Sequence, residues 1–203
     1  MSSIDENIRN AMKVVRKTHE NVQKLMTCCK NLSKQNDSGY RELLADKDYL
    51  RHLSRDEYLS WAIGSFILLF AKADVGDDTI YGVEIDLDAA KVKAIKYVYD
   101  GAIDIEKTVS PGDHWKYAHP LRDDRKFEFC AAGAFIKSVP KSADINKKYL
   151  SLQFALFAEF PLSEIKFSNV KEKIFGTFDK LAASSEQNQA DGDQRQDCRL
   201  REV

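Results

Sequence analysis

From Ile4 to Leu32 apolar side chains recur at Ile4, Ile8, Ala11, Val15, Val22, Leu25, Cys29 and Leu32, and Thr18 fills the one polar place in the series. Steps that alternate between four and three residues mark the a/d seam of a long helix. The flanking places hold Met12, Val14, His19, Asn21, Met26 and Cys28 where a two-stranded zipper would carry charge. The stripe is therefore wide, and it predicts a helix packed against two neighbours or a seam shared between two copies of the chain. Asn36-Asp37-Ser38-Gly39 ends this helix with turn formers. A second helix is expected across Tyr40, Leu43, Leu44, Leu50 and Leu53. A third opens at Ser54-Arg55-Asp56-Glu57, a capping box, and continues from Tyr58 to Phe70 as a helix apolar nearly all round.

After Thr79 the period changes to two. Tyr81, Val83, Ile85 and Leu87 alternate with Gly82, Glu84, Asp86 and Asp88, and Lys91 to Tyr99 is rich in β-formers. A tight hairpin at Asp88-Ala89-Ala90-Lys91 would set Asp88 opposite Lys91 and Asp86 opposite Lys93, with Leu87 against Val92 on the other face. Asp100-Gly101 reads as a second two-residue turn and predicts a third strand to Val109, completing a meander. Ser110 to Asp124 reads as an irregular loop. Phe127 to Ile136 is expected as one strand containing the small residues Ala131, Ala132, Gly133 and Ala134. A Lys-rich connection, Lys137 to Lys148, leads to a cleanly alternating strand from Leu150 to Phe160 that Pro161 stops. A last helix begins at Ser168 with Val170, Ile174, Phe178 and Leu181 on one stripe, and the polar segment after Ala183 is expected to be disordered.

The fold this predicts is α+β. It has three N-terminal helices, an antiparallel sheet of about five strands containing a three-stranded meander, a C-terminal amphipathic helix and a disordered tail. Residues 1–74 form the helical region, 75–183 the sheet and last helix packed with it as one domain, and 184–203 the tail.

Composition narrows the function. With 31 basic and 32 acidic residues the net charge is −1, so no whole-chain field draws the protein to nucleic acid or to an anionic membrane. The longest apolar run, Trp61 to Ala71, is about half what a bilayer span requires. Cys28, Cys29, Cys130 and Cys198 form no C-x-x-C pair, and the N-terminus lacks the basic start and apolar core of a signal peptide. Free thiols in a reducing, cytoplasmic setting are expected.

Candidate chemistry falls in three places. Asp113, His114, His119, Asp123 and Asp124 lie within twelve residues of the 110–124 loop and offer the imidazole and carboxylate groups of hydrolytic sites. Their spacing matches no helix-borne metal motif, and no metal or cofactor is expected. Glu84, Asp86 and Asp88 share one face of a strand, where Lys91 and Lys93 would neutralise two of them. Lys137, Lys141, Lys147 and Lys148 adjoin Tyr149 but lack arginine and interleaved aromatics, so the sequence gives no strong nucleic-acid signal.

The leading expectation is a non-catalytic interaction or adaptor protein. It would assemble with itself or with a protein partner through its N-terminal helices, using Ile8, Val15, Val22, Leu25 and Cys29. One alternative is a metal-assisted or acid/base hydrolase working through Asp113, His114, His119 and Asp123. The other is a sensor of a small-molecule ligand, held between the sheet and the helix at 58–70 beneath Ala131 to Ala134.

Overall fold

Described by a computed structural model over residues 4–35, 37–44, 49–53 and 63–190, the chain begins with one long helix, α1 (Ile4–Ser33), as its periodicity demands. Gly39, at φ +67°, then turns the backbone into extended structure. The strands are β1 (Tyr40–Glu42), β2 (Leu50–Leu53), β3 (Ile63–Lys72), β4 (Thr79–Asp86), β5 (Lys91–Tyr99), β6 (Phe127–Ala132), β7 (Phe135–Pro140) and β8 (Leu152–Pro161). Short helices α2 (Ile105–Thr108), α3 (His114–Ala118) and α4 (Ala143–Lys148) lie between them, and α5 (Gly176–Ala190) follows a π-helical turn at Lys171–Phe175. All paired strands are antiparallel, in the order β1-β3-β4-β5-β8-β7-β6, with β2 beside β1 on the same edge of β3.

Mixed helices and an antiparallel sheet are thus present, but the element counts differ from the expectation. One N-terminal helix replaces three, and eight strands replace five among the described residues. The second expected helix is β1 and β2, whose backbone groups pair with β3 instead of within a helical turn. The third expected helix is strand over Ile63 to Phe70. A run apolar on all sides suits a strand covered on both faces as well as a buried helix, and local periodicity cannot separate the two. Here Phe66, Leu68 and Phe70 face α1 and α5, while Ile67 and Leu69 face an opposite core with Tyr97, Tyr117 and Phe157. The capping box at Ser54 to Glu57 lies outside the described residues.

The β4–β5 hairpin keeps the expected faces in a different register. Asp86 stands opposite Lys91, Glu84 opposite Lys93 and Ile85 opposite Val92, so four residues form the turn rather than two. A two-residue type I′ turn needs positive φ at both central places, which Ala89-Ala90 supplies only at Ala90 (φ 52°). The Asp86 carboxylate accepts the Ala89 N–H at 3.0 Å and steadies the wider turn. A shift of two leaves every side chain on its original face.

The third strand of the meander is absent. Asp100-Gly101 does not fold the chain back, and β8 occupies the far side of β5 over nine register pairs. Ile105 and Val109 are both buried, a spacing of four that suits α2, and the Asp104 side chain caps that helix by accepting the Lys107 N–H. The 110–124 segment is α3 flanked by two 3-10 turns rather than an irregular loop. The strand expected over 127–136 is the β6–β7 hairpin, with Gly133 at φ +62° in its turn. The Lys-rich connection is the end of β7 followed by α4.

The C-terminal stripe appears as read: Val170, Ile174, Phe178 and Leu181 are fully buried against β3, β4 and β5. The chain remains helical beyond Ala183, to Ala190, and residues 191–203 lie outside the described residues. No helix among the described residues is long and apolar enough to cross a membrane.

Phe178 meets Tyr40, Tyr81, Phe70 and Phe175 ring to ring at centroid distances of 5.3–6.1 Å. Replacing Phe178 with Ala should cost about 3–5 kcal/mol in urea unfolding, through lost burial and a residual cavity.

Candidate functional site

The structure disperses the polar residues of the 110–124 segment. Asp113 accepts from the Ser110 N–H and pairs with Lys116 at 3.0 Å. Burial alone would lift its carboxyl, but these donors outweigh that effect and hold it below the usual range. His114 points inward and shares a 2.9 Å hydrogen bond between Nε2 and Ser65 Oγ; both residues are buried. His119 faces the other way, with Nδ1 2.8 Å from the Tyr149 hydroxyl. Asp123 takes Lys126 at 2.6 Å and Arg125 at 3.3 Å, and the Asp124 carbonyl accepts from Lys141. His114 ties the covering segment to β3 through Ser65 and His119 ties it to Tyr149, whereas Asp113 and Asp123 pair with groups of their own segment. Among the described residues, no group of three or more His, Cys, Asp or Glu side chains is placed to hold a metal ion.

The acidic strand face is the densest ionic cluster. Glu84 is fully buried and paired with Lys93 at 3.0 Å and with Arg122, which also reaches Asp86 at 3.4 Å. Burial pushes the Glu84 carboxyl up, and the Lys93 and Arg122 charges pull it back. Lys91 pairs with Glu159 instead of an acid on its own hairpin. Arg122 therefore pins the covering segment to the sheet, together with the His114–Ser65 contact and a 2.9 Å hydrogen bond from the Tyr97 hydroxyl to the Tyr117 carbonyl. Only Glu84, Asp86 and Lys93 could be placed together from alternation; Arg122 and Ser65 arrive from distant segments.

A different kind of surface lies along α1. Its C-terminal half is anchored: Val22, Leu25, Met26 and Cys29 enter the core that α5 also lines, and Lys30 pairs with Glu42 at 2.9 Å. Burial raises the Cys29 thiol to about 12, which keeps it protonated. The first half is not covered. Ile4 is 78% exposed, Ile8 57%, Met12 47% and Val14 65%, and Phe167 at 55% completes the large apolar residues exposed among the described residues. Two grooves flank the helix where Phe167 approaches it. One of about 460 Å³ is lined by Thr18, Val22, Leu25, Leu162 and Ile165; the other, of about 520 Å³, runs along Thr27, Cys28 and Leu32.

The expected interface row is thereby divided. Ile8 is exposed and Val15 half-buried, whereas Val22, Leu25 and Cys29 pack inside the chain's own core. Periodicity found the row but not the point where burial ends, and Met12 and Phe167 lay outside it. The place proposed for a small ligand changes as well, because residues 63–70 of its roof are strand β3.

Two outcomes test this account. Lys93→Met should cost about 3–5 kcal/mol in urea unfolding by leaving Glu84 buried without its ammonium, and adding Glu84→Gln should recover most of the loss. Asp123, whose pKa is lowered to about 2 chiefly by the hydrogen bond from Lys126, gives stability that is present above its ordinary value of 3.8 and is lost as pH falls towards 2. In Asp123→Asn the fall in stability between those two pH values should be shallower than in wild type, measured by thermal unfolding. Comparison with protein-family models, with curated proteins and with solved structures finds no match for this chain.

Proposed function

We propose that the chain is a non-catalytic interaction protein that assembles through the uncovered half of α1. A single observation carries this reading: the large exposed apolar side chains of the described residues are Ile4, Ile8, Met12 and Val14 on α1, together with Phe167 beside its grooves. A helix with an apolar stripe open to water is stabilised when another apolar surface covers it, and concentration of such residues on one element is the usual signature of a contact surface. The anchored half gives the arm a fixed direction. Only Ile8 and Val15 of the expected row remain in the surface, Ile4 and Met12 extend it, and Phe167 stands farther along α1 beside residues 18–35. Self-association is the simplest form of this reading, and a protein partner presenting an apolar helix face is the other. Cys28, Cys29 and Cys130 are free thiols, which suits a reducing cytoplasmic setting.

Sedimentation over a range of concentrations should show a reversible dimer. Replacing Ile4, Ile8 and Met12 together with Lys should weaken it at least tenfold, which is about 1.4 kcal/mol. The melting temperature of the monomer should stay unchanged, because none of the three side chains is buried. A wild type that remains monomeric and gains no partner from its host would overturn the reading.

A further inference from the structure

Two segments that looked unrelated along the chain meet on the face of the sheet opposite α1. Trp115 on α3 is half-exposed, and its ring centroid is 5.6 Å from the Lys116 ammonium and 5.8 Å from that of Lys148 on α4. Tyr149 stands edge-on to the same indole at 5.3 Å, and the His119 ring lies 5.9 Å away. The chain reverses through Lys141, whose N–H donates to the Lys126 carbonyl and whose ammonium donates to the Asp124 carbonyl. Lys116 and Lys148 therefore share one indole, with Lys147 adjoining Lys148 on α4, Lys126 3.4 Å from the His119 ring and Lys141 bound to the 124–126 turn.

Four carboxylates share this surface, and their placement decides its outward charge. Asp113 is tied to Lys116 at 3.0 Å, and Asp123 to Lys126 at 2.6 Å. Asp124 and Asp144 remain exposed. Lys147 and Lys148 are exposed on α4 and have no carboxylate within 4.0 Å among the described residues. The surface thus combines a half-exposed indole, two lysine ammonium groups over its ring and the buried edge of Tyr149 behind it.

We infer that this surface binds single-stranded nucleic acid, with a base stacked on Trp115 and neighbouring phosphates held by Lys147, Lys148 and Lys141. An acidic peptide could use the ammonium groups but would meet the indole only through an occasional aromatic side chain, whereas every nucleotide brings both a π-face and a phosphate. No sequence preference is implied, since stacking and charge contacts read no base edge.

The test is fluorescence anisotropy of a labelled oligothymidylate of about a dozen nucleotides against the full chain at about 50 mM salt. Wild type should bind, and log K should fall with log salt at a slope of about −2, as three phosphate contacts on a single strand require. Trp115→Ala should weaken binding about tenfold. Lys147→Glu with Lys148→Glu should abolish it while leaving the folded circular dichroism unchanged, because both side chains are exposed. Polyglutamate of matched charge should not compete. Absence of binding by wild type, equal competition by polyglutamate, or binding unchanged in both variants would overturn the inference. None of these outcomes depends on whether α1 self-associates, since the triple-Lys variant of α1 retains this face.

Discussion

Covering both faces of the central strands is the constraint from which the rest of the architecture follows. β3, β4 and β5 are buried above and below, so each face must receive its own layer. On one side α1 and α5 supply it with apolar stripes. On the other side the described residues supply no long helix, and the 103–121 segment does the covering with short helical turns. Short turns bury little apolar area each, which explains why that layer is held by Arg122, His114 and the Tyr97 hydroxyl as well as by packing. The ionic cluster is thus a consequence of how the second face is closed. Glu84 and Lys93 are costly to bury, and their mutual pairing and Arg122 offset that cost.

The same constraint produces the overhang of α1. Thirty residues of helix extend about 45 Å, whereas an eight-residue strand such as β4 spans about 27 Å. The helix is longer than the surface it covers. Its fully buried residues begin at Val22, and the side chains of residues 4–14 are all exposed. Their side chains nevertheless keep the apolar periodicity of the buried half, and that persistence past the edge of the core motivates an intermolecular role. A helix needed only for cover could have ended its apolar stripe where burial ends.

Elements whose pattern reflects a single environment were legible in the sequence. α1, β4, β5, β8 and the buried stripe from Val170 to Leu181 each show one periodicity along their length, because each presents one fixed relation to the core. Failures have a common cause. Residues 63–70 are apolar nearly all round because they sit between two cores, and residues 40–42 and 50–53 form strands only because β3 offers backbone partners, so tertiary pairing overrode the local pattern. Asp100-Gly101 carried a strong local turn signal, yet β8 took the position its hairpin would have filled, with Phe157 and Ala155 seated opposite Ile95 and Tyr97. The site was readable in part for the same reason. The apolar row on α1 lies in one segment, whereas Trp115 and Lys148 are 33 residues apart and meet only after β6, β7 and α4 have formed.

A chain of net charge −1 can still present a cationic face, and the distribution of its ion pairs shows how. Where a carboxylate is bound to a lysine of the same layer, as with Asp113 and Lys116, the two charges largely cancel a few ångströms away. What a partner senses is then set by the groups left outside such pairs. On the α3–α4 face these include Lys147 and Lys148, and on the outer half of α1 they include Arg9, Lys13 and Arg16, whereas Lys17 pairs with Glu20 at 3.4 Å. Both candidate surfaces thus carry local charge that whole-chain composition hides. The α3–α4 face lies across the sheet from the anchored half of α1, so any communication between the two surfaces would pass through β3 to β5, which are packed on both faces.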